Sequence, residues 1–176
     1  MQNLPIAALT ILPIQPVDMN DLRGVVDLLE AREIVSTLLR PILRPRDAYD
    51  VKRRQFRAEV LLECARSYPE RLILAVTDAD CYAGKLNFVF GIADVGGGAA
   101  LVSLHRLRRG ANIGVFQLRA VKEIVHELGH ALGLRHCPDA RCVMHFSNSL
   151  AEADAKSEQV CSVCVRRLAS ITEAGM

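Results

Sequence analysis

The sequence predicts a mixed α/β fold, in which a mixed, twisted sheet is followed by a small lobe stabilised by metal. Short apolar runs typical of buried strands alternate with segments whose apolar residues recur every three or four positions, as in helices. A continuous apolar run at 71–77 is typical of a central strand. Four of the six cysteines follow Gly133, in a segment with few other apolar residues.

In the first half of the chain, two strands and two helices are expected. Apolar or β-branched runs predict the strands, and a repeat of three or four residues predicts the helices. Asp18 or Asn20 is suited to cap the first helix, because a short polar side chain can accept a hydrogen bond from a free amide. The strands are expected at 7–14 and 34–39, and the helices at 18–31 and 50–67.

The second half of the chain starts with the central strand at 71–77. Strands at 88–93 and 100–104 flank the triplet Gly96–Gly98, which predicts a mobile loop. A third helix is expected at about 115–131, and the remainder to be mostly loop. We expect a single catalytic domain over 1–176, with an N-terminal subdomain at 1–132 and a C-terminal subdomain at 133–176.

Composition and charge limit the classes of binding partner that we expect for this chain. A net charge of +2 gives no reason to expect nucleic acid or membrane as a partner. Pro5 and Pro13 interrupt the apolar N-terminus, and no segment approaches the ~20 apolar residues of a membrane span. We therefore expect a cytoplasmic protein, and a monomer. Thiols are normally reduced in that compartment, so clustered cysteines favour metal binding over disulfides.

One segment carries the pattern H-E-x-x-H, from His126 to His130. Residues four apart lie on the same face of a helix, so both imidazoles can bind one zinc ion. Glu127, beside a ligand without being one, can take a proton from the attacking water. This pattern predicts a catalytic zinc centre.

A third ligand is expected shortly after the helix. Gly133 tolerates a positive φ angle, so it can end the helix and turn the chain back. His136 can then supply a third nitrogen and leave a fourth position open. Three protein ligands with an open position are typical of catalytic zinc, whereas structural zinc normally has four.

The run from His126 to His136 resembles the zinc-binding signature of the metzincin metallopeptidases. The resemblance implies a methionine turn beneath the zinc, and Met144 lies where that methionine belongs. Several metzincins place a tyrosine two residues later, to stabilise the tetrahedral intermediate. This chain has Phe146 there, without a hydroxyl, so that stabilisation must come from zinc and other groups.

Four of the six cysteines form two close pairs, Cys137 with Cys142 and Cys161 with Cys164. Such pairs predict a structural zinc site with four thiolates, and disulfides are the alternative. Together with the histidine signature, the cluster resembles one family, the archaemetzincins, over 126–164. The resemblance implies two zinc ions per chain, one catalytic and one structural.

These observations predict a zinc-dependent metallopeptidase that hydrolyses peptide bonds by zinc-activated water, with Glu127 as general base. Its partner would be a peptide or protein substrate, and both endopeptidase and aminopeptidase activity stay open. Ala100–Leu104 is the strand expected to pair with an extended substrate. The alternative is a zinc-stabilised binding module with little or no peptidase activity.

Overall fold

A computed structural model of the chain describes residues 1–6 and 8–174. Its main sheet has five strands: β1 (Leu9–Pro13), β2 (Ser36–Leu38), β5 (Ile73–Thr77), β7 (Gly91–Ala93) and β8 (Ala99–Ser103). They lie in the order β2-β1-β5-β8-β7, and all are parallel except β7, which is antiparallel to β8. The predicted mixed α/β fold is confirmed.

Each central strand has both faces buried, which explains the continuous apolar runs. Alternate residues point to opposite faces; in β5, for example, Leu74 and Val76 pack on one face while Ile73 and Ala75 pack on the other. The first face is covered by α1 (Met19–Glu30) and α3 (Ile113–Ala131), and the second by α2 (Ala58–Arg66).

The first helix begins where the sequence predicts. The Asp18 side chain accepts hydrogen bonds from the amides of Asn20 and Asp21, so Asp18 is the N-cap. Leu22, Val25 and Leu29 form its buried face. The first predicted strand is confirmed over Leu9–Pro13, and Ala7 lies outside the described residues.

The helix predicted at 50–67 is wrong over its first half. Residues 49–57 form a hairpin of β3 (Tyr49–Asp50) and β4 (Gln55–Arg57), which joins β6 (Cys81–Tyr82) in a small second sheet. The Asp50 side chain accepts hydrogen bonds from the backbone amides of Lys52 and Arg53. These local bonds favour a turn over a helix. Phe56 consequently lies in a strand, and only Ala58–Arg66 is helical.

The C-terminal part is more helical than predicted. Residues 150–155 form α4 (Leu150–Ala155), with Ser149 as N-cap, and 162–174 form α5 (Ser162–Ala174). The helix α4 could not be recognised in the sequence, because six residues span fewer than two turns and show too little of the helical repeat of apolar residues. Residues 175 and 176 lie outside the described part of the chain.

Over the described residues, none of the helices has both the length and the apolar character needed to cross a membrane.

Candidate active site and metal centres

His126 and His130 lie on α3, and His136 lies in the loop that follows it. This helix packs between the main sheet and the C-terminal lobe, residues 133–174. Asn112 caps the helix by accepting the amide of Val115 at 3.0 Å. Most of the helix surface is buried, including charged residues. Arg119 donates two hydrogen bonds of 2.7 Å to Asp154, which ties α4 to α3. The helix is therefore held rigidly on both sides.

Gly133 ends the helix, as predicted, with a φ of +101°. Its amide donates to the carbonyl of His130 at 2.8 Å, which is the usual way of closing a helix C-terminus. The loop with the glycine triplet, which the sequence predicts to be mobile, is instead hydrogen-bonded to the C-terminal end of α3. The amides of Gly96 and Gly98 donate to the carbonyls of His130 and Ala131 at 3.0 and 3.1 Å.

The structure brings the three predicted histidines together. One ring nitrogen from each of His126, His130 and His136 lies within 4.8 Å of the others. The Nε2 atoms of His126 and His130 are 3.1 Å apart. Tetrahedral ligands at ~2.1 Å from zinc are separated by about 3.4 Å, so this arrangement suits a zinc ion.

The other ring nitrogens are occupied. His126 Nδ1 bonds to the carbonyl of Val143, and His130 Nδ1 to that of Leu134, both at 2.7 Å. A carbonyl accepts only, so each Nδ1 carries the proton and each Nε2 keeps its lone pair for a metal. Burial lowers the pKa of both rings, that of His126 strongly, which also favours the neutral ligand form.

Glu127 lies buried beside the histidines, on the floor of the cleft. Burial raises its pKa well above the usual value, the neighbouring Glu123 adds to that rise, and Lys156 opposes it. The strand above leaves room for it only because residue 91 is glycine. A Cβ on Gly91 would lie 2.5 Å from Glu127 Cγ.

Met144 lies beneath the histidines in a tight turn and is fully buried. The amide of Cys137 donates to its carbonyl at 2.9 Å, which joins the turn to the residue after His136. Its sulfur packs against the backbone of Gly129, where an added Cβ would lie only 2.3 Å from Sδ. The helix glycine therefore allows this close contact.

The four predicted cysteines also converge, with their Sγ atoms all within 4.8 Å of one another. Cys137 and Cys161 are 3.7 Å apart at sulfur, and Cys142 and Cys164 are 3.8 Å apart. Both distances are far longer than the ~2.05 Å of a disulfide. They match the roughly 3.8 Å edge of a zinc tetrahedron with Zn–S bonds of ~2.3 Å.

The thiols of this cluster differ in acidity, because burial raises the pKa of Cys142 and of Cys164. Burial opposes ionisation of Cys161, but the amides of Cys164 and Val163, with neighbouring thiols, lower its pKa to about 7. The amide of Cys161 in turn donates to Cys142 Sγ at 3.3 Å. A thiolate is the form that binds zinc.

The predicted substrate strand is wrong. Ala100–Leu104 corresponds to β8, which is paired on both sides, with β5 and with β7, and so has no free edge. The edge of the sheet at the site is β7, Gly91–Ala93. The order of strands in a sheet depends on crossover connections, which sequence spacing does not reveal.

The histidines line a cleft of about 500 Å³. One wall is formed by the β7 strand with the loop before it, and the opposite wall by His136 and the segment from Phe146 to Asn148. The ring of Phe146 packs against His136, with centroids 5.0 Å apart, in the position where several metzincins have tyrosine.

Sequence reasoning missed Glu123, which lines this cleft, and Lys156, which pairs with Glu123. Glu123, four residues before Glu127, lies on the same helix face, and that spacing could have identified it. Lys156 follows α4 and carried no signal. Its Nζ lies 3.7 Å from Glu123 Oε2, and both side chains are buried. Burial raises the pKa of Glu123 and the ammonium opposes that rise.

Fold and cleft together define a metal-dependent hydrolase with room for an extended peptide beside its histidines. A profile of the family described as Peptidase family M54 matches residues 17–170 of the chain. The chain therefore belongs to peptidase family M54 and is a zinc-dependent metallopeptidase.

Known relatives agree with this assignment. The archaemetzincin of Pyrococcus furiosus is 44% identical over 137 residues, covering 73% of this chain and 71% of its own. That of Methanocaldococcus jannaschii is 44% identical over 126 residues, covering 69% and 70%. The resemblance predicted from the signature is thus confirmed.

Solved structures show the same fold. The archaemetzincin of Methanopyrus kandleri has a TM-score of 0.84 at 34% identity and covers 96% of each chain. That of Archaeoglobus fulgidus, complexed with malonate, has a TM-score of 0.83 at 34% identity and covers 91% of this chain and 99% of its own.

Proposed function

We propose that His126, His130 and His136 hold the catalytic zinc and that Glu127 is the general base. The observation that carries this assignment is the convergence of three neutral imidazole nitrogens beside a buried carboxylate, in a cleft under an edge strand. A binding module would have no use for such a carboxylate, because burying it unpaired costs free energy.

We propose a second, structural zinc held by Cys137, Cys142, Cys161 and Cys164, giving two ions per chain. One catalytic domain over 1–176 would then combine the subdomain of residues 1–132 with that of residues 133–176, where the third histidine, Met144 and the cysteines lie. A cytoplasmic monomer acting on peptides or proteins, without nucleic acid or membrane partners, is the form we propose.

The chemistry follows from the side chains in the cleft. Zinc, when bound, polarises the substrate carbonyl and makes water nucleophilic near neutral pH. Glu127 takes the proton of the attacking water and delivers it to the leaving amine. Its raised pKa suits both steps, since a carboxyl group with a pKa nearer neutrality can accept and then donate.

Substrate would bind along the free edge of β7. Gly91, Ile92 and Ala93 line the cleft and are paired on their other side with β8. Main-chain hydrogen bonds to such an edge are independent of peptide sequence. Phe146 has no hydroxyl, so stabilisation of the developing oxyanion would rest on the metal and on other groups of the cleft.

Digestion of a diverse peptide library by the zinc-loaded protein, read by mass spectrometry, tests the assignment. Cleavage by the native chain that is lost in Glu127→Ala, with zinc content unchanged, is the expected result. The positions of the cuts would separate an endopeptidase from an aminopeptidase. Equal cleavage by both proteins would exclude Glu127 as the base.

A further inference from the structure

One end of the cleft floor is acidic. Among the described residues that line the cleft, the acidic side chains are Glu123 and Glu127, and no Lys or Arg is present. The walls are mostly apolar, with Phe88, Phe90 and Phe146 among them. Glu127 is committed to the proton transfer, which leaves Glu123 to face the substrate.

Glu123 lines the cleft but is not fully hydrogen-bonded. The residue is only 5% exposed, and its Oε2, which faces Lys156 Nζ at 3.7 Å, has no partner at hydrogen-bond distance. Ser147, which also lines the cleft, has a buried hydroxyl without a partner. Buried polar groups are normally satisfied, and each exception has a cost of about 1–3 kcal/mol. Two such groups in one cleft indicate a place where a bound ligand supplies the missing partners.

One ammonium group faces both carboxyl groups. The Nζ of Lys156 lies 3.7 Å from Glu123 Oε2 and also faces Glu127. Two buried carboxyl groups thus share one buried cation, and burial raises the pKa of both. A bound cation would favour the ionised form of Glu123, because an opposite charge stabilises a carboxylate.

The ion pair is not needed to join the helices. Arg119, one helical turn before Glu123, already binds Asp154 with two hydrogen bonds. Lys122 donates to the carbonyls of Ala153 and Asp154 at 3.2 and 2.8 Å. Both contacts fix α4 against α3 away from the cleft, so α4 stays attached to α3 without the ion pair.

We propose that Glu123 and Ser147 form a specificity subsite that binds a Lys or Arg side chain of the substrate. The alkyl stem would lie against the aromatic walls, and the cationic end would donate to Glu123. Residues four apart on a helix have Cβ atoms about 6 Å apart, so the bound residue lies within about two positions of the bond being cut. This subsite rests on the proposed peptidase function.

Isosteric peptides test the subsite. Peptides that are otherwise uncharged and differ only by arginine or citrulline at one position are compared for binding to the zinc-loaded Glu127→Ala chain by calorimetry. At one position next to the scissile bond, the arginine peptide is expected to bind about tenfold more tightly or better, as for a hydrogen bond between charged groups. Adding Glu123→Gln is expected to bring the ratio close to one.

Asp154→Asn is the matched control, since it weakens the neighbouring tie between the same helices. It is expected to keep the preference for arginine. If Glu123→Gln fails to fold, Glu123→Asp serves instead and is expected to reduce the ratio. A ratio near one at every position in the parent chain, or one unaffected by changes at Glu123, would overturn the subsite. Because binding is measured without turnover, this result is independent of whether the native chain cleaves peptides.

Discussion

At the scale of single residues, two glycines determine how closely the parts of the site approach. Gly129 lies against Met144, and Gly91 lies over Glu127. Neither glycine has a positive φ, so backbone conformation does not explain why glycine is present at these two positions. Each is needed because a methyl group would occupy the space of a functional side chain.

Gly129→Ala should disturb the methionine turn. The new Cβ would lie 2.3 Å from Met144 Sδ, so the turn must shift. Overpacking of this kind costs typically 1–3 kcal/mol, and we expect a lower melting temperature with weaker binding of the catalytic zinc. Gly114→Ala, on the same helix, meets its nearest atom at 3.6 Å and should be neutral or slightly stabilising. Equal melting temperatures for the two variants would contradict this account of Gly129.

Burial of the Glu127 carboxyl lowers the stability of the folded chain. Its folded pKa is raised by burial above the ordinary value of 4.5, so the ionised form disfavours folding. With the histidine site cleared of zinc and the cysteine site still loaded, Glu127→Gln should be more stable than the native chain near neutral pH. The difference should shrink as pH falls and should vanish below the ordinary pKa of 4.5, where the carboxyl is protonated in both states. Urea unfolding across pH, with metal content measured, checks this; a variant that is less stable at pH 8 would refute it.

At the scale of elements, the cysteine cluster joins α5 to the end of the histidine signature. Cys161 and Cys164 lie at the beginning of α5, while Cys137 follows His136 directly. The two proposed metal centres are therefore joined by one peptide bond, and we expect the order of one to depend on the other.

Cys161→Ala should loosen both centres. We expect one zinc ion fewer, a clearly lower melting temperature and weaker affinity for the catalytic zinc, because structural zinc contributes directly to folding. Metal titration against a competing chelator measures the affinity. Cys64→Ala, a half-buried cysteine on α2 outside the cluster, is the control and should keep both ions. Unchanged catalytic affinity in Cys161→Ala would disprove the coupling.

At the scale of the whole molecule, the N-terminus closes over the C-terminal lobe. Gln2 and Val160 exchange two main-chain hydrogen bonds of 3.0 Å, and Arg32 pairs with Glu158 at 2.5 Å. Leu4 is buried in the same cluster as the cysteines and Met144. One continuous core thus includes both ends of the chain.

Leu4→Ala should weaken this closure. Removing a buried leucine side chain costs about 2–5 kcal/mol, and the effect should be felt first in the C-terminal lobe. Limited proteolysis should then cut α4 or α5 earlier than in the native chain. Leu43→Ala, where the leucine is 79% exposed, should leave the digestion pattern unchanged. Faster cutting elsewhere, with the lobe still protected, would argue against the closure.

Local spacing in the sequence determined the candidate metal-binding groups. The four-residue repeat of His126 and His130, the turn at Gly133 and the paired cysteines are short-range patterns, and helix geometry or a single turn converts each into proximity. The buried strands could be predicted for the same reason, since an apolar run has few alternatives in a soluble core.

Tertiary structure alone decided the rest. The free edge at the cleft is β7 rather than β8 because chain crossovers set the strand order, and the hairpin at 49–57 replaces a helix because it pairs with the distant β6. Lys156 reaches Glu123 from 33 residues away, through a helix too short to recognise. Contacts between residues far apart in the chain depend on how whole elements pack, and local periodicity contains no information about that packing.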